Sequence, residues 1–209
     1  MRGLPVALAG AENRARRAAL TVALVASFVI AATAAATVTP VPTPIGVGAR
    51  FHPAASSSSV LHGQTVAGFR CRTGGRRAGV HLELFARGRV VIVPAGIGVA
   101  VPFVREGAFV RPRGCSYAVR TLEPTGVLEV RPGWKLTLGS AFAVWGQRLS
   151  RTTLAGFMTG PAVPVRAYVG GRRWRGRVED IPLTRHGEIV LELGPYIRPH
   201  RSFLFPRGL

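Results

Sequence analysis

Six carboxylates, Glu83, Glu129, Glu179, Asp180, Glu188 and Glu192, lie on or beside segments that read as β-strands. Two such groups flanking a sugar would support glycoside hydrolysis. In a chain with 28 Lys and Arg against 9 Asp and Glu, they are expected instead as partners of arginine. Nucleophilic catalysis has less to work with. No Gly-x-Ser-x-Gly occurs, and no Ser, His and acid stand in a recognisable order. The five histidines, His52, His62, His81, His186 and His200, stand apart, and two cysteines without a matching histidine set make a poor zinc site. His81 and His186 read as strand histidines with ordinary hydrogen bonds. No catalytic residue, metal ligand or cofactor is expected, and the chain reads as non-enzymatic. A hydrolase with an unrecognised site is the alternative from the enzyme class.

The sharpest cationic feature is Arg172-Arg173-Trp174-Arg175-Gly176-Arg177. Arginine offers forked donors for phosphate or carboxylate, and an indole offers a flat stacking face. Arg172, Arg173, Trp174, Arg175 and Arg177 are therefore the candidate polyanion contact. Alternation along a strand would put Arg173, Arg175 and Arg177 on one face and Arg172, Trp174 and Gly176 on the other. The same residues also fit a charged hairpin with Trp174 in the core.

The elements that must carry these residues are mostly strands. Val80 to Phe85 alternates apolar and polar as a half-buried strand does, Ala86-Arg87-Gly88 turns, and Arg89 to Val93 returns. Ser116 to Leu122 and Gly126 to Val130 flank Glu123-Pro124-Thr125 as a second hairpin. Pro164 to Val169 and Arg172 to Val178 flank Gly170-Gly171 as a third. Ala100 to Val110 is ambiguous, because Pro102 and Gly107 disfavour a central strand. One short helix is expected within 136–150, capped by Thr137 or Ser140 and stopped by Gly146, with Ala141, Phe142, Val144 and Trp145 on its apolar face. Ile189 to Leu193 is the last strand, and residues 195–209, with Tyr196, Phe203 and Phe205, form an extended cover over the sheet. Together these make an α+β domain built mainly from antiparallel β hairpins with one short helix.

A different kind of segment precedes it. Arg14, Arg16 and Arg17 stand before an uncharged run from Ala18 to Val38, closed by Pro40. This is the layout of an N-terminal hydrophobic export or transmembrane helix. As a helix the run would reach about 31 Å, enough to cross a bilayer. Its seven strongly apolar residues supply only about −2 to −4 kcal/mol of insertion free energy. A cleaved signal peptide and a retained anchor both remain open. Either way the flanking arginines keep the N-terminus cytoplasmic and send the remainder outside. The expected organisation is 1–40 signal peptide or membrane anchor, 41–62 a Pro-, Gly- and Ser-rich linker, and 63–209 a small mostly-β extracytoplasmic domain.

Export sets the chemistry of the remainder. Cys71 and Cys115 are an even pair in an oxidising compartment, so a disulfide is expected between them. Residues 1–40 hold four arginines and one glutamate, leaving 24 basic and eight acidic residues beyond them, a net of +16. Such a domain should attract anionic cell-envelope components or lipid head groups. No nucleic-acid partner is expected unless residues 18–38 fail to direct export.

The chain also resembles a family of uncharacterised bacterial exported or membrane-anchored proteins. The resemblance runs in order through most of 71–209. It rests on His81-Leu82 with Phe85, Val93-Pro94-Ala95-Gly96-Ile97-Gly98, Cys115 with Tyr117, Thr125-Gly126-Val127 and Leu136-Thr137-Leu138-Gly139. It continues through Trp145-Gly146-Gln147, Ile181-Pro182-Leu183-Thr184 and Phe205-Pro206-Arg207-Gly208-Leu209. Members carry a His-x-His-x-His run ending where His81 stands, a His-Thr-His-Asp where this chain reads Arg120-Thr121-Leu122-Glu123, and a further His near Leu128. Only His81 remains of that cluster here. The resemblance implies the compartment, the Cys71–Cys115 pair and a small fold, and it makes this chain a member of a metal-binding family that has lost its ligands as an alternative reading.

Overall fold

Alternating apolar residues make the strands, and glycines make most of the turns between them. The computed structural model describes residues 46, 48–54, 62–199 and 202–209, all within one unit spanning 39–209. In chain order the first elements are β1 (Ala49–Phe51), β2 (Ala78–Ala86), β3 (Arg89–Val91), β4 (Phe103–Glu106), β5 (Phe109–Pro112), β6 (Val119–Arg120) and β7 (Val127–Val130). The helix α1 (Leu138–Trp145) follows, then β8 (Leu149–Ser150), β9 (Thr153–Leu154), β10 (Phe157–Met158), β11 (Arg166–Val169) and β12 (Arg172–Arg173). A 3-10 turn at Val178–Asp180 and β13 (Glu188–Leu193) follow. The segment expected to direct export, residues 18–38, lies outside the described residues. Among those described, no helix is long and apolar enough to cross a membrane.

The three expected hairpins form: β2–β3, β6–β7 and β11–β12 pair antiparallel. They join one sheet in the order β1-β3-β2-β13-β11-β12, with β7 on β2 and β6 on β7. The centre of this sheet is a parallel pair that local pattern does not reveal. β13 runs alongside β2 with Glu188 opposite His81 and Leu193 opposite Ala86. The ambiguous stretch around Pro102 forms the separate β4–β5 hairpin, in keeping with a proline that cannot donate to a central ladder. Part of the expected linker is ordered. Ala49–Phe51 pairs parallel with β3, and the Phe51 ring meets Phe157 with centroids 4.5 Å apart.

The sheet has two unlike faces, and both are covered. Val80, Leu82, Leu84, Ile189, Leu191, Leu193, Leu128 and Ala167 belong to the main core with α1. The helix forms where expected. Thr137 caps it by accepting the Ser140 N–H, Ser140 Oγ accepts the Thr137 N–H in return, and Gly146 closes it in the left-handed region at φ 73°. Leu138, Ala141, Phe142, Val144 and Trp145 are its buried residues.

The opposite face carries His81, Glu83 and Phe85 of β2 beside Glu188, Val190 and Glu192 of β13, as the register requires. Half-burial was expected of β2, yet all nine of its residues are buried. The reason is the segment after β13. Phe203 stacks on His81 at 3.9 Å, and Phe205 lies so close to Gly79 that a Cβ there would sit 2.5 Å from its ring. The expected extended cover is therefore present, and it encloses the polar residues that alternation alone would leave in water.

Candidate functional site

Buried acids need partners, because an unpaired charge in the interior is costly. Glu192 accepts from Arg166 at 3.1 Å and from the Ile197 N–H at 3.0 Å. Glu129 is held by Arg120 at 2.6 Å. Glu188 lies against His81 Nδ1, with both carboxylate oxygens at 2.9 Å. His81 Nε2 faces the Thr125 carbonyl at 3.0 Å. A carbonyl only accepts, so Nε2 carries a proton.

His81, Glu83 and Glu188 are the set of metal-type donors that the fold gathers among the described residues, with ligand atoms within 4.8 Å of one another. Sequence spacing hides this set, since His81 and Glu188 are 107 residues apart. Its geometry is that of a hydrogen-bonded pair: each ring nitrogen of His81 has a protein acceptor, and Phe203 closes the open face of the ring. His186 stands at φ 59°, off the strand, with Nε2 2.7 Å from the Leu209 backbone oxygen. Glu179 and Asp180 sit in the 3-10 turn, where each approaches Arg177, at 3.8 and 3.7 Å. His200 lies outside the described residues.

The expected disulfide is formed. Cys71 and Cys115 are bonded with Cα atoms 5.4 Å apart across 44 residues. Beside it Arg72 and Ser116 exchange backbone hydrogen bonds at 3.1 and 2.9 Å. In the chain-entropy picture a closed loop of that length stabilises the fold by about 4 kcal/mol.

The candidate polyanion residues follow the β11–β12 turn. Gly170 and Gly171 both take left-handed φ, at 56° and 74°, as a tight hairpin turn demands. The strand ends at Arg173, so alternation stops there. Arg173, Trp174, Arg175 and Arg177 line a cleft of about 860 Å³, joined by Arg151 and Glu179. Arg172 is exposed and does not line it. Trp174 is half-buried against the main core, and its Nε1–H donates to the Arg177 carbonyl at 3.0 Å. The Arg173 guanidinium lies 5.5 Å over the Tyr168 ring. Arg151, from the β8–β9 turn, was missed because nothing in its neighbourhood separates it from the other arginines.

No family model, no curated protein and no solved structure matches the chain.

Proposed function

We propose that this chain is an exported domain, membrane-anchored through residues 18–38 or secreted, that works by binding rather than catalysis on the extracytoplasmic side of the cell envelope. Its partners are anionic envelope polymers or lipid head groups. The observation that carries this reading is the sorting of charge. Of the eight acidic residues beyond position 40, Glu83, Glu129, Glu188 and Glu192 are buried. Glu106, Glu179 and Asp180 lie against exposed arginines. Acids so placed leave a surface on which exposed arginines far outnumber exposed acids, and fields of one sign attract polyanions.

The Cys71–Cys115 bond suits an oxidising compartment. The resemblance to bacterial exported or anchored proteins supports the same placement, and the residues on which it rests include Gly98. That glycine has φ 64°, and a Cβ on it would sit 1.9 Å from the Val119 carbonyl oxygen.

Retention of the full chain on anionic liposomes and on heparin, measured against salt, tests the proposal. Release is expected as the Debye length shrinks from about 10 Å at 0.1 M to about 3 Å at 1 M salt. Retention indifferent to salt would overturn the electrostatic reading. Intact chain beginning at Met1 in the cytosol, with both thiols reduced, would overturn the compartment.

A further inference from the structure

A second cleft, of about 790 Å³, is lined by Arg72, Arg76, Arg77, Arg131, Arg185 and Trp134, among others. No carboxylate is among its described lining residues. Two of these arginines are held in place by neutral groups. Arg77 donates through Nη1 to the Tyr117 and Ala118 carbonyls at 2.8 and 3.2 Å, and through Nη2 to Ser116 Oγ at 2.8 Å. Its Nε is buried with no hydrogen-bond partner. Arg131 donates through Nη2 to the Arg72 carbonyl at 2.9 Å. Gly75 makes room for it, since a Cβ there would lie 2.5 Å from Arg131 Nη1. Trp134 is 38% exposed, with the Arg72 guanidinium 5.6 Å over its ring and Phe69 at 5.7 Å.

This arrangement is unfavourable for the folded chain by itself. Burial, then Arg120 and Arg131, pull the Arg77 guanidinium down to about 9, with Glu129 acting in the opposite direction. Burial, Arg120 and Arg72 lower Arg131 as well. Glu129 is already held by Arg120, and among the described lining residues no side-chain carboxylate balances the cleft; Arg185 Nη2 donates to the Leu209 backbone oxygen at 3.4 Å. Groups held in such a field, in a concavity, are where ligand sites concentrate.

We propose that this cleft is a built site for tetrahedral oxyanion esters carried on a polymer, with successive phosphate or sulfate groups met by the arginine forks and Trp134 as a flat wall. Guanidinium groups match such oxyanions with paired donors. Several cations around one opening suit a multiply charged segment better than a lone carboxylate. The inference rests on the proposed association with anionic envelope material and names where that material is held.

The test uses the full chain in mild detergent, titrated with a poly(glycerol phosphate) oligomer and, separately, a heparin oligosaccharide, followed by calorimetry and tryptophan fluorescence. Arg76 and Arg185 are exposed, so Arg76→Gln with Arg185→Gln removes charge from the cleft without disturbing the core. Arg131→Gln is the second variant. Arg89→Gln with Arg148→Gln, also exposed and outside this cleft, matches the first in charge. Both cleft variants are expected to weaken binding about tenfold or more, and the matched control no more than about twofold. Trp134→Phe is expected to abolish the fluorescence change. The probe that binds more tightly identifies whether phosphate or sulfate esters are the source. Equal weakening in the control would overturn the cleft while leaving diffuse association standing. Failure of the unaltered chain to bind either probe would overturn both.

Discussion

His81 is held by a carboxylate on one nitrogen and a peptide carbonyl on the other, beneath the ring of Phe203. Its partner Glu188 is on the neighbouring parallel strand, directly opposite in register. Both side chains are 1% exposed, so water cannot replace either. Glu188→Gln keeps the shape but replaces one carboxylate oxygen facing His81 Nδ1 by an amide NH2, which only donates. Breaking one side of a buried pair costs about 3–5 kcal/mol, and the variant is expected to show that loss in urea unfolding with an unchanged m-value. A loss under about 1 kcal/mol would mean that the pair does not hold β2 and β13 together. Arginine behaves differently here. Arg166 and Arg120 offset buried acids, whereas Arg77 and Arg131 donate to backbone carbonyls and line a cleft.

At the level of elements, the helix shows how few residues set an end. α1 is eight residues long, too short to persist in isolation, so its caps and its buried face must both contribute. Thr137→Ala removes the side chain that accepts the Ser140 N–H. A loss of about 1 kcal/mol is expected in thermal or urea unfolding, with Thr137→Ser close to the unaltered chain. Equal losses for the two substitutions would show that the hydroxyl is not the cap. The β11–β12 hairpin illustrates the opposite case. Two residues of β12 pair with β11, and the chain then leaves the sheet, which turns Arg175 and Arg177 into a cleft wall rather than one row of an alternating strand.

Among the described residues the molecule separates its charges: most carboxylates are buried or lie against arginines, and most arginines face water. The residues beyond position 40 carry 24 basic and eight acidic side chains, and that imbalance strains the compact state through self-repulsion. Screening should relieve the strain. Raising NaCl from about 0.02 to about 0.5 M is expected to raise Tm by about 3 °C or more. A Tm that stays flat or falls would show that the repulsion is too diffuse to matter. Covering the acidic face with the segment that holds Phe203 and Phe205 belongs to the same scale, since it joins the end of the described chain to its central strand.

Local chemistry was enough to read the three hairpins, the capped helix, the aromatic cover and the Cys71–Cys115 pair, because each depends on residues close in sequence or on simple counting. Four of the five candidate polyanion residues also share one cleft, since they are neighbours on one short segment. The parallel join of β2 to β13, the buried His81–Glu188 pair and the arginine cleft around Trp134 depended on the tertiary structure. Their members come from distant parts of the chain, and alternation states which residues share a face without stating what covers it. A polar residue on a strand turns to water or to a partner according to what packs above it, and only the folded chain decides that.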